Sequence, residues 1–311
     1  MDNQPYMIIG SKVENQDEQN LSGLKIRVDD ESRKHDYLLH YCSADTLMKI
    51  FSNKTFKCSR LNNVELNDQF EAKRKNIEHL ANGRYITCFS HCQHEIVPFW
   101  QNYGGIDKKN KVLLRFKNFC DHLADVIETD YCLLPNGMKM YFNGFEYGRT
   151  VNNNGWMGNL VGRAPINTDF DTRAYIDILS LLDIVYLPIN DVVFTQDYLS
   201  FIDLTVGNGC VIKDVPTYKP QNLGKNKTVH WSYEQETRLM CTLNIQDLKE
   251  YDYFYLRLHE CIFADMDIVI SPWCEETLAD DMRNLLNKSS LSDSVKSSIT
   301  ISLSELNGQI R

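Results

Sequence analysis

No stretch of this 311-residue chain comes near the ~18 consecutive apolar residues that a membrane-crossing helix needs. The start, MDNQPYMIIGSKVENQDEQN, lacks the basic opening and apolar run of a signal peptide. No phosphate-cradling Gly-Lys-Ser/Thr loop, no glycine fingerprint behind a strand and no Gly-x-Ser-x-Gly elbow is present, which sets aside kinases, P-loop enzymes and α/β-hydrolases. Positive charge is also short. A net charge of -9 and a pI near 5.4 argue against a sequence-independent hold on nucleic acid, which needs many Lys and Arg side chains on one face to displace counterions. Ten cysteines are present, but their wide, irregular spacing is unlike a disulfide framework and suits reduced thiols acting as small hydrophobes. These absences lead to the expectation of a soluble, cytoplasmic protein without a membrane partner.

What is there suffices for a core: 43% of the residues are hydrophobic and 11% aromatic. Residues 1–36 are polar with little periodicity and read as a mobile arm or short peripheral element ahead of a single domain over 37–311. Tyr37 to Tyr41 reads as a strand. Ser43 then caps a helix with Leu47, Met48, Ile50 and Phe51 on its apolar face, closed at Asn53-Lys54. Strands follow at Thr55 to Ser59 and Tyr85 to Ser90, with an irregular loop from Arg60 to Glu71 between them. A short helix is expected through Pro98 to Tyr103, a strand over Lys111 to Phe116 and a helix over Asn118 to Glu128. Residues 134–165 form a Gly- and Asn-rich insertion, and 173–202 are apolar enough to carry at least one helix. Further strands are predicted at Thr237 to Leu243 and Ile262 to Ile270, with an amphipathic helix at Glu275 to Asn287. No repeat or regular βαβ alternation appears, so the predicted class is α+β, a mixed, mainly antiparallel split β core with flanking helices.

The most informative segment is Trp231-Ser232-Tyr233-Glu234-Gln235-Glu236-Thr237-Arg238. Period-two geometry places Glu234, Glu236 and Arg238 on one face at a strand's mouth, where paired carboxylates can share a proton or grip a hydroxyl. A solvated edge strand would show the same pattern. His40, at a strand end, offers one donor and one acceptor to a ligand or is a satisfied core histidine. Tyr41 either stacks or packs. Cys88, His91, Cys92 and His94 resemble a zinc ligand set in composition, but their crowding into seven positions argues against a tetrahedral site, and no metal is expected. Tyr85, Phe89, Phe99, Trp100 and Tyr103 either wall a flat ligand or form core.

Taken in order, His40-Tyr41, Leu66-Asn67-Asp68-Gln69-Phe70-Glu71, Cys88-Phe89-Ser90, Trp100 with Tyr103-Gly104, Tyr233 to Glu236 with Arg238, and Ser304 to Arg311 resemble the bacterial domain of unknown function 2971 family over about residues 37–311. The likeness rests on the order of many weak motifs. Two positions depart from it: Gln69 replaces the family's usual proline, and Thr237 its tryptophan before the arginine. A weaker resemblance is to the ADP-ribosyltransferase pattern of His, Tyr and Glu. It implies an ADP-ribosyltransferase-like fold and NAD as substrate, with ADP-ribose transferred to a macromolecular acceptor or NAD hydrolysed, in a bacterial toxin or anti-phage effector. By position it assigns His40 to the nicotinamide-side ribose, Tyr103 to the nicotinamide and Glu236 to the ribose 2'-hydroxyl, with Glu234 serving the acceptor. Tyr41, Ser90, Trp100 and Arg238 join the expected NAD-binding set. Two alternatives stand beside it: a non-catalytic nucleotide-sensing or protein-interaction module, and a metal-dependent nuclease built on Asp68, Glu71, Glu234 and Glu236.

Overall fold

The computed structural model describes residues 6–9, 24–29, 31–62, 83–123, 131–133, 139–141, 175–191, 199–206, 210–218, 223–244, 252–257, 260–275 and 277–310. In chain order these form β1 (Tyr6–Ile9), β2 (Leu24–Val28), β3 (Tyr37–Ser43), α1 (Ala44–Asn53), β4 (Thr55–Arg60), β5 (Arg84–Ser90), α2 (Val97–Asn102), β6 (Lys111–Lys117) and α3 (Phe119–His122). Next come β7 (Tyr131–Leu133), β8 (Lys139–Tyr141), β9 (Tyr175–Asp183), β10 (Val185–Leu187), β11 (Leu199–Val206), β12 (Cys210–Tyr218) and β13 (Asn226–Thr228). The chain continues through β14 (Glu236–Asn244), β15 (Tyr253–Arg257), β16 (Asp267–Ile270), α4 (Thr277–Lys288), α5 (Asp293–Ser298) and β17 (Thr300–Leu303). The result is a mixed α and β protein with a large, mostly antiparallel sheet and few helices, compatible with the expected α+β class.

The main sheet runs β1-β2-β9-β14-β5-β3-β6-β16-β17, and β5 is its branch point. One edge of β5 pairs with β14 over its whole length. The other edge is shared. β4 takes the early part, through Ser59 opposite Ile86 and Arg60 opposite Tyr85, while β3 takes only the end, through Leu39 opposite Ser90. Residues 87–89 therefore lie where the sheet forks. Helix α1 joins the two prongs. Its start follows from Ser43, whose Oγ accepts the Thr46 backbone N–H at 3.1 Å, and its end from Lys54, which turns left-handed at φ 54°.

Strand alternation sends β3 side chains to two cores. Leu38 and Cys42 join Leu47, Ile50 and Phe51 of α1 and an aromatic cluster of Phe56, Phe89, Phe116 and Phe263. Leu39 joins Phe99, Trp100, Leu113 and Val269 on the other side. Each such Leu, Ile, Val or Phe side chain contributes about 1.5–3 kcal/mol on burial. Met48, expected on the apolar face of α1, is instead half exposed.

Several sequence expectations change. Within 173–202 every described residue in a regular element is in a strand, not a helix. The run Tyr-Ile-Asp-Ile-Leu-Ser-Leu-Leu-Asp is paired on both edges, by β2 and β14, and a near-continuous apolar run of this kind has no period to separate strand from helix. Of 262–270 only the last four residues are strand, because the chain turns through Asp265 at φ 57° first. The described part of the helix begun at Asn118 is the four residues of α3. Within 1–36, β1 pairs with β2 and β2 lies beside β9, so both strands belong to the main sheet. The loop motif Leu66 to Glu71 and nearly all of 134–165 lie outside the described residues.

Candidate functional site

The fork opens a cleft of about 760 Å³, within the range that holds a nucleotide-sized ligand. His40, Tyr41, Ser90, Tyr103, Glu234, Glu236 and Arg238 all line it, although they come from β3, β5, the end of α2, the turn before β14 and β14 itself. Trp100 does not.

His40 sits across the open part of the fork. Where a continuing β3–β5 ladder would satisfy the Cys88 carbonyl with a backbone N–H, His40 Nδ1 takes that carbonyl at 3.0 Å instead. A proton on Nδ1 leaves Nε2 as the acceptor. Burial holds the imidazole's pKa below its ordinary value, against the opposing pull of the Cys88 carbonyl. The ring stands edge-on to Phe56 at 5.8 Å and tilted against Phe89 at 5.5 Å. Thr87 closes the opposite prong, donating to the Lys57 carbonyl at 2.9 Å.

The acidic end of the cleft is a buried network of four charged side chains. Glu236 opens β14, and Glu234 ends a 3-10 turn over Val229–Glu234. Gln235 between them has φ 40°, a left-handed conformation costing about 1–2 kcal/mol for such a residue. It is held by its own N–H to the Ser232 carbonyl and by its carbonyl to the His91 N–H. The two carboxylates thus share a cleft through a reversal of the chain, not through one strand's alternation.

Arg238 grips Glu236 with a fork, Nε to Oε1 at 2.6 Å and Nη2 to Oε2 at 3.0 Å, and sends Nη1 to the Gly224 carbonyl at 2.8 Å. It does not bridge both carboxylates. That role falls to Lys227, 2.6 Å from Glu234 Oε2 and 2.9 Å from Glu236 Oε2. The second Glu234 oxygen accepts the Tyr103 hydroxyl. Burial raises the Tyr103 pKa and Glu234 raises it further, so the phenol keeps its proton and donates.

Sequence reasoning did not single out Lys227. The parallel pairing of β13 with β10 puts it opposite Tyr186, whose hydroxyl accepts the Glu236 backbone N–H at 2.8 Å. Gly224, at φ 82° and with Leu61 3.0 Å from where a Cβ would stand, makes the turn that brings this segment in. The dense Gly-Lys-Asn-Lys cluster ahead of the glutamates was the available signal.

Burial alone would raise the Glu236 pKa, but Arg238 and Lys227 outweigh it and bring it down to about 2. As pH falls, the unfolded chain takes up this proton first. Stability from Glu236 is therefore complete above an ordinary value of 4.5 and drains between there and about 2. Urea titrations from neutral pH into this window should show a flatter pH dependence for Glu236→Gln than for wild type. Parallel curves would mean that Glu236 carries no linkage.

The remaining expected contacts are placed as follows. Ser90 faces the cleft, but its hydroxyl donates to the Glu234 carbonyl at 2.7 Å and accepts the Cys92 N–H at 3.1 Å, so it builds the turn. Tyr41 stacks on Phe99 at 5.0 Å. Trp100 is fully buried behind that pair, its Nε1 donating to Glu95 at 3.0 Å. Phe89, Phe99 and Tyr103 reach the cleft wall. Asp68 and Glu71 lie outside the described residues.

Cys88, His91, Cys92 and His94 do not converge. Cys88 lines the cleft with Glu236, Cys92 donates to the Tyr233 carbonyl at 3.5 Å, His94 is exposed, and His91 projects to the other face of the sheet. There His91, His35 and Asp183 gather close enough for a metal ion. Hydrogen bonds link them: Asp183 accepts from Ser32 at 2.8 Å, Thr237 at 2.7 Å and His35 at 2.7 Å, and Thr237 in turn accepts from His91 Nδ1 at 2.9 Å. The imidazoles stack 4.0 Å apart and 5° from parallel, so their in-plane lone pairs do not converge on a point between them. These hydrogen bonds tie residues 32–35 to the sheet behind Glu236.

Comparison of the chain with family models, with curated proteins and with solved structures finds no match to any of them.

Proposed function

We propose that the cleft binds NAD and that the protein cleaves its nicotinamide–ribose bond, passing ADP-ribose to a macromolecule or to water, on a split-sheet fold of the ADP-ribosyltransferase type. One observation carries this reading: His40, Tyr103 and Glu236, separated by most of the chain, line a single cleft at the point where the sheet forks. Had they faced different surfaces, the His, Tyr, Glu likeness would have had no site to act in.

The geometry divides the labour. Breaking the C1'–N1 bond sends its electron pair to the pyridinium nitrogen, releases neutral nicotinamide and leaves oxocarbenium character on the ribose. A carboxylate that Arg238 and Lys227 hold ionised well below its ordinary range is a poor base but a lasting negative charge, suited to that cation and to a ribose hydroxyl. Glu236 has this role. Glu234, tied to Tyr103 and Lys227, is left to orient the nucleophile and receive its proton. Nε2 of His40 can accept from a ribose hydroxyl, and Phe99 and Tyr103 supply aromatic faces for the cationic ring.

The nuclease alternative loses support at the same place, because the Lys227 ammonium stands between Glu234 and Glu236, where a divalent cation would have to sit. The decisive experiment is incubation of the purified protein with labelled NAD, following nicotinamide release and label transfer to protein, DNA and RNA. His40→Ala should weaken NAD binding by roughly 3- to 10-fold, the value of one hydrogen bond, and lower thermal stability because the Cys88 carbonyl loses its partner. Absence of both nicotinamide release and NAD binding in the wild type would remove this function.

A further inference from the structure

We propose that the segment following β17, acting with Glu95 and Lys111, positions Tyr103 on Glu234, making Ser304 to Leu306 a working part of the site. The inference rests on the NAD reading for its catalytic consequence, but the positioning itself can be measured without it.

Helix α2, which leads directly into Tyr103, has six residues, too few to hold a helical shape by itself. Two buried charges of opposite sign hold it from outside. Glu95 lies just ahead of it, and its carboxylate accepts three donors: Trp100 Nε1 at 3.0 Å, Ser304 Oγ at 2.5 Å and the Glu305 N–H at 3.1 Å. Lys111 donates to the carbonyls of Trp100 at 2.8 Å and Gln101 at 3.1 Å, two acceptors that the last turn of a helix leaves unpaired. Both charges thus end on the Trp100–Gln101 turn, one residue short of Tyr103.

The closing segment is itself fixed. The Ser304 N–H donates to the Ile270 carbonyl at 3.0 Å, and Ser304 Oγ accepts the Leu306 N–H at 3.1 Å. Leu306 packs into the cluster that contains Phe99, Trp100 and Tyr103. Beyond the helix, the Tyr103 N–H caps Phe99 at 2.9 Å. Gly104, at φ 80°, lies so close to the Cys42 backbone that a Cβ would stand 2.9 Å from it. The tyrosine is therefore clamped from both sides, and its hydroxyl ends on Glu234.

Buried charges are costly to place even when hydrogen-bonded, and an apolar contact would anchor a helix at lower cost. A directional anchor gains where the helix must hold a hydroxyl against a carboxylate, since a misplacement of about 1 Å costs roughly 10²-fold in rate.

The test is a double-mutant cycle on nicotinamide release with Ser304→Ala and Tyr103→Phe, and Ser304→Thr as the conservative control. Ser304→Ala is expected to lower kcat/KM about 10- to 100-fold, and Ser304→Thr to restore most of it. In the Tyr103→Phe background, Ser304→Ala should add little. Equal losses in both backgrounds would overturn the proposal, because a merely structural serine acts independently of Tyr103. A second measurement needs no turnover: amide exchange of residues 97–105, well below the unfolding midpoint, should be faster in Ser304→Ala than in wild type. Unchanged exchange there would equally overturn it. If the wild type releases no nicotinamide, the NAD reading falls while the exchange experiment still decides the clamp.

Discussion

Arg238→Ala is expected to destabilise the protein by about 3–5 kcal/mol, the usual result of removing one member of a buried ion pair. The side chain is fully buried, and all three of its guanidinium nitrogens are used, two on Glu236 and one on the Gly224 carbonyl. Its loss leaves Glu236 with Lys227 as the only cation beside it among the described residues and leaves the Gly224 carbonyl without this donor. Against a typical total stability of about 5–15 kcal/mol, this is a large fraction, readable as a drop in urea midpoint. An exposed arginine would cost less than about 0.5 kcal/mol. Arg238→Lys should recover only part of the loss, because one ammonium cannot reproduce the two-toothed grip on Glu236. Equal midpoints for wild type and Arg238→Ala would show that this face of β14 is merely solvated.

Glu236→Gln should lower nicotinamide release by about 10²- to 10³-fold, the scale seen when a preorganised electrostatic partner is removed. From the sequence alone this variant is expected to keep the fold, since glutamine preserves size and hydrogen-bonding shape, and to lose only the charge. The partner geometry says otherwise. Arg238 and Lys227 both donate to the Glu236 oxygens, and glutamine offers them one acceptor and one NH2 group. Donor then faces donor, and two buried cations lose a counter-charge, so a stability cost of similar size to Arg238→Ala is expected. Turnover must therefore be compared at a low temperature, where circular dichroism shows both proteins native. Wild-type turnover in the folded variant would take Glu236 out of the mechanism.

What the sequence by itself determined is local. Ser43 capping α1, the buried strand β5, the short helix before Tyr103, and the closeness of Glu234 and Glu236 all depend on residues within a few positions of one another, where period, caps and turns act. The tertiary structure alone decided what those residues meet. The apolar run of β9 became a strand because β2 and β14 flank it, and its own periodicity carried no such information. Arg238 seemed placed to serve both carboxylates until the left-handed Gln235 reversed the chain and the pairing of β13 with β10 delivered Lys227 between them. Trp100, an aromatic beside a candidate site, turned inward because Glu95 supplies the acceptor its indole N–H requires. The cleft itself arises from β3 and β4 dividing one edge of β5, and edge-sharing is a matter of long-range register, which no window of neighbouring residues contains.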